Sequence, residues 1–129
     1  GVPLALMDKR RIGNEDKVEI VNLIGDVKGM RALIVEDEID TAGTITEAAG
    51  MLEQHGAREI YAACTHAVFS GPAVERLRSS RLKEVVVTNT VPLTPERKPD
   101  KVTVLSIAPL LAEAIRRIHT GESISSLFL

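Results

Sequence analysis

The sequence has little of what marks secreted, membrane-spanning or nucleic-acid-binding proteins. Cys64 is its one cysteine, so no internal disulfide can form, and a reducing cytoplasm suits the chain best. No apolar run approaches the ~20 residues of a membrane span, and we identify no charged-then-apolar leader. The 16 basic and 18 acidic residues nearly balance, so the overall charge calls for neither nucleic acid nor a membrane as partner. We therefore expect a soluble cytoplasmic protein.

Aromatic residues are also scarce, at 2% of the 129 residues. The core must therefore come mainly from Val, Ile, Leu and Ala, which suits α/β sheets. The length corresponds to a single domain, large enough to fold without disulfides or metals. We interpret Cys64, in the apolar run "IYAACTHAVF", as a small core residue of that domain.

Short aliphatic runs alternate with helical patterns along the chain. Several runs are apolar at nearly every position, which is typical of parallel strands covered on both faces. The predicted strands are 3–7, 18–24, 31–36, 59–64, 84–90 and 101–107, and the predicted helices are 43–55, 72–80 and 108–119. Gly56 is predicted to end the first helix in a left-handed conformation. Because the chain opens directly on a strand, we expect the sheet to lack its first βα unit.

The stretch "RALIVEDEIDTAGT", residues 31–44, places acids and then small hydroxylic residues between a predicted strand and a predicted helix. Ligands of parallel sheets bind beyond the carboxyl ends of the strands, where helices begin. Small residues there allow backbone N–H groups to converge on a phosphate, and carboxylates can accept sugar hydroxyls or hold hydrated Mg²⁺. The pattern indicates a phosphorylated sugar. From the residues alone a second interpretation stays open, in which Thr41 and Thr44 merely cap the helix beside a solvated acidic turn.

"IVEDEIDTAGT" resembles the phosphoribosyl-diphosphate binding signature of type I phosphoribosyltransferase folds, and its "DTAGT" ending resembles ribose-phosphate diphosphokinases in particular. Five further stretches resemble the carboxyl-terminal half of that family, in the same order: "PLALMDKRR", "NLIGDVKG", "THAVFSGPA", "EVVVTNTVPL" and "LAEAIRRIHTGESISSLF". The resemblance implies a type I phosphoribosyltransferase-like α/β fold, with a mostly parallel sheet flanked by helices. Residues 1–129 would form a single carboxyl-terminal domain, the ribose-5-phosphate-binding half of a two-domain enzyme.

The resemblance also implies a reaction and a binding site. Ribose 5-phosphate attacks ATP through its anomeric hydroxyl, takes the diphosphoryl group and releases AMP, with Mg²⁺ as cofactor, in nucleotide biosynthesis. Glu36 and Asp37 would face the ribose hydroxyls and their associated Mg²⁺. The 5-phosphate would be held by Asp40, Thr41, Ala42, Gly43 and Thr44.

A basic motif, "DKRR", carries the catalytic residues that the resemblance implies. Lys9 and Arg11 would close over the transferring phosphates as part of a mobile loop. From the residues alone, a solvated basic turn is the simpler interpretation of this motif.

The tail "GESISSLFL" resembles an allosteric nucleotide or phosphate site between subunits, at Ser123, Ser125 and Phe128. Simple packing of Phe128 is the alternative. Full-length members of the family form hexamers, so the resemblance implies a homo-oligomer.

Two features set the chain apart from the family pattern. Glu36 stands where these enzymes usually have aspartate, and Glu-Asp is closer to the transferases that consume phosphoribosyl diphosphate. The family's amino-terminal half, which supplies adenine contacts and metal-binding residues, has no counterpart here. We therefore expect a fragment that binds ribose 5-phosphate, leaves ATP mainly to the missing half and is inactive alone. A phosphoribosyltransferase and a non-catalytic regulatory subunit stay open as alternatives.

Two polar positions outside these motifs each have a structural and a functional interpretation. His66 is predicted to be a hydrogen-bonded histidine near a strand end, and a role near the site is the alternative. Ser70, before the second predicted helix, is interpreted as a plain N-cap, and anion binding by "SGPA" at residues 70–73 is the alternative.

Overall fold

The computed structural model of the chain describes residues 2–11 and 18–128, which form an α/β structure. The helices are α1 Gly43–Gln54, α2 Ala73–Ser79 and α3 Ala108–Thr120, so each predicted helix is confirmed. None of the helices in these ranges is long and apolar enough to cross a membrane. The strands are β1 Leu6–Arg11, β2 Val18–Ile24, β3 Arg31–Ile39, β4 Glu59–Ala67, β5 Glu84–Thr88 and β6 Val102–Leu105.

The last four strands form one parallel sheet in the order β3-β4-β5-β6. β1 and β2 instead pair with each other, antiparallel, in a separate two-stranded sheet. The prediction of a mostly parallel sheet is therefore confirmed, although the first two predicted strands are not part of it. A parallel neighbour needs a crossover connection of a dozen or more residues. Residues 25–30 are too few to make one between β2 and β3.

α1 and α2 cover one face of the parallel sheet and bury its alternate residues. The buried cluster is almost entirely aliphatic, as the scarcity of aromatic residues predicted, with Phe69 as an exception. It includes Ile45, Ala49 and Leu52 of α1, Ala73 and Leu77 of α2, and Ile60, Ala62, Cys64, Val85, Val87 and Val102 of the strands.

The opposite face of the sheet is open in the part of the chain that the structure describes. Leu33 and Val35 of β3 are 62% and 71% exposed. No residue of α3 is buried, and its apolar side chains Ile115 and Ile118 are also exposed. The expectation of strands covered on both faces therefore holds for one face only, because Leu33 and Val35 on the other face stay exposed and α3 buries no residue. Apolar surface of this kind promotes self-association.

α1 begins and ends next to residues in the left-handed conformation. Gly56 follows its last turn with φ +85, as predicted, and its N–H donates to the Glu53 carbonyl. Ala57 N–H donates to the Leu52 carbonyl at 2.9 Å, which completes the hydrogen-bond pair of a Schellman motif. At the other end, Ala42 is the N-cap with φ 59 and ψ 11.

Cys64 offers a test of the buried face. Its side chain is buried, as predicted, and burial raises the pKa of the thiol from 9.0 to about 11. Since the thiolate is the reactive form, we expect iodoacetamide at about pH 8 to alkylate the folded chain at least ~100-fold more slowly than the chain unfolded in guanidinium chloride. Mass spectrometry of timed samples measures both rates. Similar rates in the two states would contradict burial of Cys64.

Candidate functional site

A cleft of about 200 Å³ lies at the carboxyl end of β3, where that strand leads into α1. We call it the β3–α1 cleft. It is lined by Glu36, Glu38, Ile39, Asp40, Thr41, Ala42, Gly43, Thr44 and Ile45. All five residues predicted to hold the phosphate therefore meet at one place, with Glu36 beside them.

The turn into α1 presents its backbone N–H groups. Within the described ranges, the N–H groups of residues 41–45 donate to no protein acceptor. The first N–H groups of a helix carry partial positive charge because the peptide dipoles align along its axis. This end of the cleft can therefore accept an anion.

The hydroxyls of Thr41 and Thr44 do not cap α1. Its N-cap, Ala42, makes no side-chain cap hydrogen bond, and neither hydroxyl has a partner among the described residues. Thr46 uses the nearby carbonyls instead, donating to Ala42 at 2.8 Å and Gly43 at 2.9 Å. The interpretation of Thr41 and Thr44 as mere helix caps is therefore wrong, and both residues line the cleft.

The acids at the end of β3 divide between the two sides of the strand. Glu36 and Glu38 line the cleft, whereas Asp37 does not, and Asp37 Oδ1 accepts the Glu38 N–H at 2.9 Å. Alternate residues of a strand point to opposite faces, and β3 continues to Ile39 instead of ending at residue 36 as predicted. Glu38 is thus a cleft residue that was not predicted from the sequence. A predicted strand three residues longer would have placed Glu38 on the same side as Glu36.

Asp40 joins the cleft to the loop between β4 and α2. Its carboxylate accepts a hydrogen bond from the Ser70 hydroxyl, and its carbonyl accepts the Ser70 N–H at 3.0 Å. The interpretation of Ser70 as a plain N-cap is wrong, because Pro72 is the N-cap of α2 and has no side-chain cap bond. Ser70 connects two loops instead.

Arg76 of α2 also contacts the turn that leads into α1. Its Nη1 donates to the Thr41 carbonyl at 3.0 Å. A Cβ placed on Gly43 would lie 3.3 Å from the same nitrogen, so the glycine leaves room for the guanidinium. No local sequence pattern pointed to Arg76, because this contact joins residues 35 positions apart.

Threonine hydroxyls gather at the carboxyl ends of β4 and β5, beside the cleft strand. Thr88 and Thr90 donate to the Thr65 carbonyl at 2.7 and 2.9 Å. His66 Nδ1 lies 2.9 Å from Thr90 Oγ1, which confirms the prediction of a hydrogen-bonded histidine at a strand end.

The predicted catalytic pair lies on a strand in the structure. The backbones of Lys9 and Arg11 belong to β1, opposite Ile20 and Val18 of β2. Their side chains, and residues 12–17 of the predicted mobile loop, lie outside the described part of the chain. The role of Lys9 and Arg11 stays a prediction.

The predicted tail site follows α3. Arg117 Nη1 donates to the Ser123 carbonyl at 3.0 Å, and Ser125 N–H donates to Ser123 Oγ at 3.2 Å. Hydrogen bonds from Arg116 and Arg117 lower the pKa of Glu113 to about 2, so Glu113 is charged at neutral pH and holds both arginines at the end of α3. Phe128 is 75% exposed, so residues 2–11 and 18–128 supply no packing partner that buries it.

The carboxylates of the cleft suit a metal ion that binds together with the phosphate-bearing ligand of the cleft. Among the described residues, no group of three or more His, Cys, Asp or Glu side chains could hold a metal. Mg²⁺ is commonly bound by one or two carboxylates together with waters and phosphate oxygens. Glu36 and Glu38, on one side of β3, match that smaller donor set.

Comparison with known proteins gives one consistent result. The sequence pattern of the phosphoribosyl synthetase-associated domain matches residues 10–129. A ribose-phosphate pyrophosphokinase of Caldanaerobacter subterraneus subsp. tengcongensis is 59% identical over 126 residues, which cover 98% of this chain and 40% of that protein. Ribose-phosphate pyrophosphokinase 2, chloroplastic, of Arabidopsis thaliana is 56% identical over 98% of this chain and 32% of its own length. The crystal structure of phosphoribosylpyrophosphate synthetase from Mycobacterium smegmatis has a TM-score of 0.83 and 43% identity, over 94% of this chain and 38% of that one.

These matches confirm the resemblance to ribose-phosphate diphosphokinases, which are the same enzymes under another name. The structural match also confirms the type I phosphoribosyltransferase-like α/β fold. The chain spans 40% or less of the length of these relatives. Since the domain pattern covers nearly all of its residues, the chain belongs to the phosphoribosyl synthetase-associated domain family.

Proposed function

We propose that this chain is the ribose-5-phosphate-binding part of a ribose-phosphate pyrophosphokinase. That enzyme transfers the diphosphoryl group of ATP to the anomeric hydroxyl of ribose 5-phosphate and produces phosphoribosyl diphosphate and AMP. The observation that carries the proposal is the β3–α1 cleft. In about 200 Å³ it combines N–H groups that have no acceptor among the described residues with the hydroxyls of Thr41 and Thr44 and three carboxylate residues, Glu36, Glu38 and Asp40. The names of the relatives support the same reaction.

The helix end of the cleft binds the 5-phosphate. The N–H groups of residues 41–45 and the hydroxyls of Thr41 and Thr44 are donors, and a phosphate offers only acceptors and negative charge. The dipole of α1 adds favourable potential at this point. Asp40, held by Ser70, fixes the start of the turn.

The strand end of the cleft binds the ribose. Carboxylates accept hydrogen bonds from sugar hydroxyls and hold the waters of Mg²⁺, which suits Glu36 and Glu38. The resemblance also assigns Asp37 to this end of the ligand. When bound, Mg²⁺ neutralises charge on the transferring phosphates, and the residues of this chain orient the sugar whose hydroxyl attacks.

Catalysis requires more protein than this chain contains. The part of the relatives that it does not match would supply the adenine contacts and further metal ligands, and Lys9 and Arg11 would stabilise the transferring phosphates. We place the assembled enzyme in the cytoplasm as a homo-oligomer, with Ser123, Ser125 and Phe128 near an allosteric anion site between subunits. The exposed apolar face around Leu33 and Val35 is consistent with association.

Calorimetric titration of the chain with ribose 5-phosphate tests the proposed site. We expect ribose 5-phosphate to bind more tightly than inorganic phosphate or ribose, because it alone contacts both ends of the cleft. Equal affinity for ribose 5-phosphate and inorganic phosphate would reduce the site to a general anion site and contradict the proposal.

Thr44→Val probes the phosphate end of the cleft. The substitution removes one hydroxyl donor and keeps the side-chain volume, so ribose 5-phosphate binding should weaken by about 1–3 kcal/mol. Thr103→Val on β6 is the control, since Thr103 bonds Glu84 at a distance from the cleft. An unchanged dissociation constant for Thr44→Val would place the phosphate elsewhere.

A further inference from the structure

Arg76 contacts the phosphate-binding turn without lining the cleft. We propose that Arg76 is a positioning residue, which holds the turn at residues 41–43 in the conformation that presents its N–H groups to the ligand. The inference rests on the proposed function of the β3–α1 cleft. It adds a residue from α2 that acts through the backbone and does not touch the phosphate.

The direction of a peptide group connects Arg76 to the cleft. A planar trans peptide points its carbonyl and its N–H in opposite directions, and no cis peptide bond occurs in the described ranges. The Thr41 carbonyl is turned toward Arg76, whose Nη1 donates to it at 3.0 Å. The Ala42 N–H, on the same peptide group, must therefore point away from Arg76. Because it has no protein acceptor among the described residues and Ala42 lines the cleft, this N–H is available to an anion.

Ala42 needs support from its neighbours because of its backbone conformation. Its φ of 59 is left-handed, a region that residues with a Cβ seldom occupy. Such conformations persist where surrounding contacts hold them. The peptide after Ala42 is held by Thr46, whose hydroxyl donates to the Ala42 carbonyl at 2.8 Å. Arg76 holds the peptide before it, so the two contacts together fix both sides of the residue.

Gly43 lies on the turn beside Arg76 and leaves room for its guanidinium. A Cβ at this position would come within 3.3 Å of Arg76 Nη1, closer than side chains normally pack. The guanidinium is the flexible partner in this contact, so Gly43→Ala would push it away from the Thr41 carbonyl. A substitution at residue 43 should therefore reproduce part of the effect of removing Arg76.

The experiment compares Arg76→Ala with Arg78→Ala in the 129-residue chain. Both arginines are exposed residues of α2, and Arg78 makes no hydrogen bond or ion pair among the described residues. In the ligand-free ¹⁵N spectrum, Arg76→Ala should move the amide signals of Ala42 and Gly43, and in calorimetry it should weaken ribose 5-phosphate binding about tenfold. Arg78→Ala should do neither. Amide signals unchanged by Arg76→Ala overturn the proposal.

Arg76→Lys separates positioning from charge. Lysine keeps the positive charge but lacks the planar fork of donors. We expect it to leave the Ala42 and Gly43 signals displaced and ribose 5-phosphate binding weak. Wild-type affinity with displaced amide signals would mean that Arg76 acts by charge alone, and would overturn the proposal.

A double-mutant cycle of Gly43→Ala with Arg76→Ala completes the test. If both act through the same contact, Gly43→Ala should weaken binding with Arg76 present and have little further effect in its absence. Additive losses would contradict the proposal. If the wild-type chain bound no ribose 5-phosphate, the proposed function would fail, while the ligand-free amide signals would still decide the role of Arg76.

Discussion

The isolated 129-residue chain should release no AMP when it is incubated with ribose 5-phosphate, ATP and Mg²⁺. The β3–α1 cleft is lined by acids, threonines, small residues and two isoleucines, and none of its lining residues is aromatic and able to stack on adenine. The described residues also contain no cluster that could hold a metal without substrate. The chain matches 40% of its Caldanaerobacter relative, so the remaining contacts are expected in the part that it does not match.

Chromatographic detection of AMP measures this directly, with a full-length ribose-phosphate pyrophosphokinase as positive control. A Lys9→Ala version of the chain serves as a second control, because activity from a host enzyme would not respond to it. Sustained turnover that follows the chain through purification and falls in the Lys9→Ala version would show that the chain is catalytically complete.

Lys9→Ala and Arg11→Ala are expected to have the largest effect of any substitutions in an intact enzyme that contains this sequence. Their charges would meet the transferring phosphates mainly in the transition state, so turnover should fall by roughly 10²–10³ while the Michaelis constants change little. Arg10→Ala is the matched control, a neighbouring basic residue that the family resemblance does not assign to the phosphates. Steady-state kinetics with each substrate varied separates the two parameters.

Two results would count against the assignment of Lys9 and Arg11. Equal losses in turnover and in apparent affinity would indicate ordinary ground-state binding. A loss as large in Arg10→Ala would indicate a general effect of the basic motif, with no special role for the two assigned residues.

Local patterns in the sequence were sufficient to predict the helices. α1 is a clear case, because Ile45, Ala49 and Leu52 repeat at helical spacing and Gly56 stops the helix. These signals act within a few residues and depend little on the rest of the fold. Residues 40–44 could be grouped for the same reason, since the turn that places them in one cleft is continuous in sequence, and their role in binding stays a prediction.

The predicted end of β3, residue 36, lies three residues before the observed end, Ile39. The extension depends on pairing with β4, which is distant in sequence. The apolar pattern stops at Val35, and the acids that follow suggested a loop. Backbone pairing with β4 nevertheless continues to Ile39 opposite Ala67. Backbone hydrogen bonds hold a strand extended whatever its side chains are. This extension places Glu38 beside Glu36 and leaves Asp37 outside the cleft.

Residues that support the site from other elements could not be predicted from one sequence. Ser70 and Arg76 reach the turn from the β4–α2 loop and from α2, over 30 and 35 positions. Nothing near either residue signals these contacts, since they exist only after the parallel sheet has brought the two loops together. The separate pairing of β1 with β2 could have been expected from the short connections on both sides of β2.

The order of the strands has a consequence for how the domain folds during its synthesis. In the parallel sheet every strand pairs with the strands next to it in sequence, and none inserts between two earlier ones. The pairings close progressively shorter loops, from Arg31 with Glu59 to Tyr61 with Glu84 to Val85 with Val102. Shorter loops cost less entropy to close. Each new strand can therefore add to an edge that is already formed, so this topology lets the sheet grow in one direction during synthesis, from the amino-terminal side onward.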